Sequence, residues 1–84
     1  MADIIIYTTP TCPYCLKAKG LFDSLGVEYT EVNVLEHPKE REAMIQKHNW
    51  MTVPMIMINN EFIGGYDDLA ALHAKGELEA KLNA

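Results

Sequence analysis

Basic residues are scarce in this chain: seven Lys and Arg stand against twelve Asp and Glu among 84 residues, a net charge of -5. Proteins that gain affinity by neutralising phosphates carry the opposite balance, so nucleic acid is discounted as a partner. Long apolar runs are missing as well. The longest near the start, Ile4-Ile5-Ile6-Tyr7, follows acidic Asp3, whereas a secretion signal needs a basic flank and a longer apolar stretch. No segment has the roughly 20 apolar residues of a membrane span. Cysteine occurs twice, at Cys12 and Cys15. With no secretion signal beside them, the expected compartment is cytoplasmic, where disulfides are mostly transient and catalytic. Repeats, linkers and low-complexity tracts are absent, and a chain of this size has room for one core. A single domain over residues 1–84 is expected, and nothing in the sequence demands more than a monomer.

What is present alternates in pattern. Asp3 to Thr8 reads as a buried strand, because three successive Ile and a Tyr are β-branched or aromatic and the run is too short for a core helix. Pro13 suits the first position of a helix in which Ala18, Leu21, Phe22 and Leu25 recur at i, i+3, i+4 and i+7, and Gly26 supplies its stop. Val27 to Val34 reads as a second strand, which completes a β-α-β unit. Pro38 opens a charged helix reaching to about Asn49, with Met44, Ile45 and His48 facing inward. After Pro54, Met55 to Ile58 forms a third strand, Asn59-Asn60 a two-residue turn, and Phe62-Ile63 a short fourth strand. Gly64-Gly65 ends this hairpin. Asp67 or Asp68 then caps a last helix whose Leu69, Leu72 and Leu78 carry an apolar face to the C-terminus. The order predicts an α/β fold: a central four-stranded mixed sheet with one right-handed parallel crossover, a closing hairpin and helices on both faces.

The chemistry concentrates at Cys12-Pro13-Tyr14-Cys15, where the first strand gives way to the first helix. Cys12 falls at the helix N-terminus, facing unpaired backbone N–H groups and the positive end of the dipole, a place that favours a thiolate. Lys17 and Lys19 add to this. Cys15 lies one turn deeper on the same face, where Cβ atoms roughly 5 to 6 Å apart can close a disulfide with little rearrangement. Two other readings compete. Zinc wants four ligands, yet one Cys pair is present and His37, His48 and His73 are too scattered to supply the usual second pair. A permanent disulfide across so small a loop adds little stability. Dithiol redox chemistry is the reading preferred, with Cys12 attacking and Cys15 resolving.

With that motif on a β-α-β frame, the chain resembles the thioredoxin superfamily, and Cys12-Pro13-Tyr14-Cys15 resembles the active site of the dithiol glutaredoxins. Two further blocks carry the likeness over the full chain: Thr52-Val53-Pro54, and Gly64-Gly65-Tyr66-Asp67-Asp68. The resemblance implies a glutathione-dependent oxidoreductase that reduces protein disulfides and glutathione mixed disulfides, with glutathione as reducing cosubstrate and no permanently bound cofactor. Its partners would be glutathione and glutathionylated or disulfide-containing proteins, a ribonucleotide reductase among them. An iron-sulfur carrier and a redoxin recharged by a flavoprotein reductase are the rival roles within this superfamily.

Residue by residue, the resemblance assigns roles that differ from the plain ones. Pro54 alone is a strand-opening proline; in the family it is cis, leaving the backbone of Val53 free to pair with an extended peptide, and Thr52 lines the same groove. Asp67 and Asp68 alone are a helix cap and a solvated acid. In the family the Gly65-to-Asp68 segment binds the γ-glutamyl end of glutathione, its carboxylate on the Asp67 N–H and its ammonium on the Asp68 side chain. Arg41, otherwise a surface cation between Glu40 and Glu42, would grip the glycine carboxylate. Tyr14, otherwise packed at the helix start, would stand beside bound glutathione. One position departs from the pattern: many glutaredoxins carry Lys three residues before the first Cys, where this chain has Thr9. Trp50 beside Met51, and the Met55/Met57 pair, read as core or rim packing in preference to a partner patch, though both readings suit a substrate groove, and the three His receive no role.

Overall fold

The computed structural model describes residues 3–83. Eight elements follow in chain order: β1 (Ile4–Thr8), α1 (Pro13–Ser24), β2 (Thr30–Asn33), α2 (Pro38–His48), β3 (Met55–Ile58), β4 (Glu61–Gly64), α3 (Tyr66–Ala74) and α4 (Glu77–Leu82). The strands form one sheet in the order β2-β1-β3-β4; β1 and β2 are parallel, and the other two pairings are antiparallel. This is the mixed four-stranded sheet expected from the sequence.

Side-chain alternation along the central strands divides the core in two. Ile4, Ile6, Ile56 and Ile58 join Ala18 and Phe22 of α1, Leu69 of α3 and Leu78 of α4 in one buried cluster. On the other face Met55 and Met57 meet Val34 and Met44 of α2, with Ile5 and Tyr7 packed against them. β3 is therefore buried on both sides, which explains why Met55 to Ile58 reads as a continuous apolar run instead of an alternating one. Of the three residues assigned to the inner face of α2, Met44 is buried while Ile45 and His48 are half-buried.

The hairpin turn is as expected. Asn59 and Asn60 take φ of 51° and 66°, the left-handed pair that a two-residue turn requires and that Asn tolerates. Asn59 does more: its side chain accepts from the Asp3 N–H at 2.9 Å and donates to the Lys81 carbonyl at 3.2 Å, fastening both ends of the described chain to the hairpin.

Besides one-residue differences at strand ends, three features depart from the sequence reading. The second strand starts at Thr30, not Val27, because the Val27 N–H still bonds to the Phe22 carbonyl at 3.3 Å and holds that stretch to the end of α1. Val27 and Tyr29 nonetheless pack on the core, which is why they look like strand positions. The last helix is two helices: Gly76 sits at φ 75° between them, a left-handed turn that ends α3 and starts α4. The N-cap of α3 is Gly65, ahead of both Asp67 and Asp68, which lie inside the first turn of the helix. Asp68 occupies the third helical position and accepts from the Gly65 N–H at 3.1 Å, so it closes the cap from within the helix without being the cap residue.

α4 spans six residues, too short to hold itself together, so its contribution rests on Leu78, which is 0% exposed in the larger cluster. Leu78→Ala is expected to cost about 2–5 kcal/mol, whereas Leu35→Ala, at a side chain 63% exposed, should stay within about 0.5 kcal/mol. Urea midpoints of the two variants check this.

Candidate active site

The strand register sets the site. Tyr7 of β1 lies opposite Met55 of β3, and Ile56 opposite Gly64 of β4. The end of β1, the start of β3 and the end of β4 therefore share one edge of the sheet. The three motif blocks leave the sheet at that edge.

Cys12 is the N-cap of α1, in extended conformation, with Pro13 as the first helical residue. Its sulfur accepts a hydrogen bond from the Cys15 N–H at 3.2 Å, the role an Asp or Ser oxygen plays at an ordinary N-cap. On its other side the Cys12 thiol donates to the Val53 carbonyl at 3.6 Å. Cys12 is half-buried, while Cys15 is 1% exposed; the two are not bonded to each other. Burial pushes the Cys15 thiol up to about 12, and its hydrogen bond with Cys12 adds to the rise; the Thr9 backbone and the Lys19 ammonium pull the other way. The geometry thus separates one accessible sulfur from one that keeps its proton.

Beside Cys12 runs a cleft of about 340 Å³, lined by Tyr14, Thr52, Val53, Pro54, Gly65, Asp67 and Asp68, together with Trp50 and Tyr66. The Val53–Pro54 bond is cis, as the resemblance implies. The N-terminus of α3 opens onto this cleft. Gly64 brings the chain there at φ 120°, and a Cβ on it would lie 2.8 Å from Asp68 Cγ, so no side chain fits between the strand end and the carboxylate. Tyr14 is 52% exposed, its ring 6.2 Å from that of Tyr66 and 4.9 Å from the Lys17 ammonium.

Seven of the ten expected site residues therefore line one cleft, with Cys12 at its rim and Cys15 buried behind. Arg41 does not join them: it is exposed in the first turn of α2, outside the cleft lining. Thr9 also lies elsewhere, in a second cleft that contains Cys15. Tyr66 lines the site although the sequence reading gave it no role there, and Trp50, read mainly as packing at the rim, lines it too. Their signal is positional: Tyr66 sits inside the Gly-Gly-Tyr-Asp-Asp block, and Trp50 two residues before Thr52. Among the described residues, no three His, Cys, Asp or Glu side chains gather as a metal-binding group.

A reachable sulfur with a second thiol one helical turn behind it, at the strand-to-helix junction of this sheet, defines the class: a thiol–disulfide oxidoreductase with the thioredoxin fold. The glutaredoxin family model matches residues 4–63. Glutaredoxin 3 of Escherichia coli (strain K12) is 46% identical over 82 residues, covering 98% of this chain and 99% of that one. The glutaredoxin of Pseudomonas aeruginosa is 42% identical over 84 residues, the whole of both chains. Among solved structures, a buckwheat glutaredoxin–glutathione complex superposes with a TM-score of 0.92 at 28% identity, covering 98% of this chain and 77% of that one. The chain belongs to the glutaredoxin family, and its activity is that of a glutaredoxin-type oxidoreductase.

Two measurements follow from the geometry. Thiolate absorbance at 240 nm, followed in the reduced protein, should show no contribution from Cys15 below about pH 10, since that thiol ionises only near 12. Gly64→Ala forces a side chain into a left-handed position against Asp68 and is expected to destabilise by about 1–3 kcal/mol, read as a lowered urea midpoint.

Proposed function

We propose that this protein is a glutathione-dependent reductase of protein disulfides and glutathione mixed disulfides, acting through Cys12 as attacker and Cys15 as resolver. The observation that carries this reading is the continuity of the cleft: it runs from Val53, whose carbonyl is 3.6 Å from the Cys12 sulfur, to the N-terminus of α3 with its Asp67 and Asp68. A γ-glutamyl peptide has its cysteine in the middle and a carboxylate and an ammonium at one end. Laid along this cleft, its cysteine would pair with the Val53 backbone, with Thr52 and Pro54 beside it and Tyr14 across. Its α-carboxylate would meet the Asp67 N–H at the start of α3, and its ammonium the Asp68 carboxylate. Arg41, outside the lining on α2, is the side chain assigned to the glycine carboxylate. The buckwheat relative's structure is a complex with glutathione, which supports the same ligand here.

The reaction is two displacements. The Cys12 sulfur attacks a substrate disulfide, forms a mixed disulfide and releases one thiolate; Cys15, or a molecule of glutathione, then attacks the Cys12 sulfur and frees the second half of the substrate. Two molecules of glutathione return the Cys12–Cys15 disulfide to the dithiol and leave as glutathione disulfide. In this reading the 84 residues act as one monomeric cytoplasmic domain without a resident cofactor. Its substrates are glutathionylated and disulfide-bearing proteins, a ribonucleotide reductase included. No helix among the described residues is long and apolar enough to cross a membrane.

The test is reduction of a glutathionylated peptide coupled to glutathione reductase and NADPH, with a flavoprotein thioredoxin reductase as the parallel donor. Turnover is expected with glutathione alone; turnover with the flavoprotein alone would overturn the choice of cosubstrate. Cys12→Ser should abolish activity. Cys15→Ser should keep reduction of the glutathionylated peptide and lose reduction of protein disulfides. Asp68→Ala should raise the KM for glutathione about tenfold or more, as loss of a charge-assisted hydrogen bond requires.

A further inference from the structure

Behind the dithiol lies a second cleft, about 330 Å³, that shares no lining residue with the first; Cys15, Lys19, Glu31 and Thr8 are among its walls. The resolving step places a demand on this region. Cys15 must lose its proton to become a nucleophile, yet it is 1% exposed, and burial opposes the charged form.

Lys19 is one helical turn beyond Cys15 on α1 and therefore on the same face. Its ammonium is paired with β2. It donates to Glu31 Oε2 at 2.9 Å, and the Thr8 hydroxyl, itself 1% exposed, donates to the same oxygen at 2.7 Å. These two bonds, one from α1 and one from β1, hold Glu31 of β2 and pin the ammonium beside the cleft. The charged and titratable groups around Cys15 are few: Cys12 and Lys19 act on it from α1, and Glu31 and Tyr29 act on Lys19 from β2 and the loop before it. Among these side chains Lys19 alone favours a negative sulfur, in the same direction as the Thr9 backbone hydrogen bond.

We propose that Lys19, tethered and moderated by Glu31, is the positioning residue of the resolving step: its ammonium supports the negative charge that appears on the Cys15 sulfur as the proton departs into the second cleft. The Cys15 S–H bond gives its proton to solvent, the Cys15 sulfur bonds to the Cys12 sulfur, and the bond between Cys12 and the substrate sulfur breaks. The substrate leaves as a thiolate with the electron pair, reduced, while Cys12 and Cys15 are oxidised to a disulfide. The inference rests on Cys12 as attacker and Cys15 as resolver, but not on glutathione as the donor.

The test mixes reduced protein with 5,5′-dithiobis(2-nitrobenzoate) in a stopped-flow instrument. Attack by Cys12 releases one thionitrobenzoate at a rate set by reagent concentration; closure by Cys15 releases the second at a rate independent of it. Lys19→Met is expected to slow the second phase at pH 7 and move its pH profile up, with a smaller effect on the first phase. Lys19→Arg should restore it. Glu31→Gln keeps an acceptor for both hydrogen bonds but removes the charge competing for Lys19, and should move the profile down. If Lys19→Met leaves the second-phase profile unmoved, or if both variants shift it upward as simple loosening of α1 from β2 would, the proposal fails. Cys15→Ser separates the underlying assignment: it should keep the first phase and lose the second, whereas loss of the first would show that the attacker and resolver were misassigned.

Discussion

The hydrogen bond from the Cys15 N–H to the Cys12 sulfur is the contact on which the site depends. It makes a cysteine the cap of α1, so that the start of the helix and the position of the reactive sulfur are one geometric fact. Everything upstream serves that placement. β1 is the central strand of the β2-β1-β3 arrangement, and its end fixes where the chain turns into α1. Ala18 and Phe22, both 0% exposed, seat the helix on the sheet. Pro13 at the first turn costs nothing, because that N–H has no partner within a helix in any case.

The same helix treats its two thiols oppositely. Cys12 stands at the mouth of the cleft with a backbone donor aimed at it, while Cys15, three residues on, is turned into the protein and holds its proton. Such a difference suits a two-step exchange. The nucleophile for the first displacement must be available before substrate arrives, and the nucleophile for the second must stay quiet until the first bond has formed. Exposure and the backbone donor at Cys12 distinguish the two sulfurs in the same sense.

Much of this is legible in the sequence, for reasons that can be stated. The run Ile4-Ile5-Ile6, the Pro13 start, the Asn59-Asn60 turn and the Pro54 block are local signals that the tertiary structure leaves standing. The misreadings share a cause in long-range contacts. Val27 and Tyr29 are apolar because they cover the core from a loop, which periodicity cannot distinguish from a strand. The break at Gly76 is hidden because Leu78 continues the apolar face across it into α4. Trp50 and Tyr66 fall in the cleft because the sheet register brings β3 and β4 to the edge where β1 ends, and register is not written in either residue's neighbours. Asp68 is both things its sequence position offers, a capping partner to the Gly65 N–H and a cleft-lining carboxylate.

A domain this small has little material to spare, and its division of labour follows from α1 standing between two clefts. On one side the lining is aromatic and acidic and includes the cis-proline loop and the helix end of α3; on the other it is an ion pair and a buried hydroxyl around the back of Cys15. Cys12 thus borders one cleft, and buried Cys15 backs onto the other. Charge in the first cleft is carried by Asp67 and Asp68, with Lys17 drawn over the Tyr14 ring at its margin. The position of Thr9 fits this partition. It lies with Cys15 in the second cleft, where its carbonyl accepts the Cys12 N–H at 3.4 Å and its backbone favours the ionised form of Cys15. A cation three residues before Cys12 would sit at that junction; with Thr there instead, Lys19, in its ion pair with Glu31, is the cation that favours negative charge on the Cys15 sulfur.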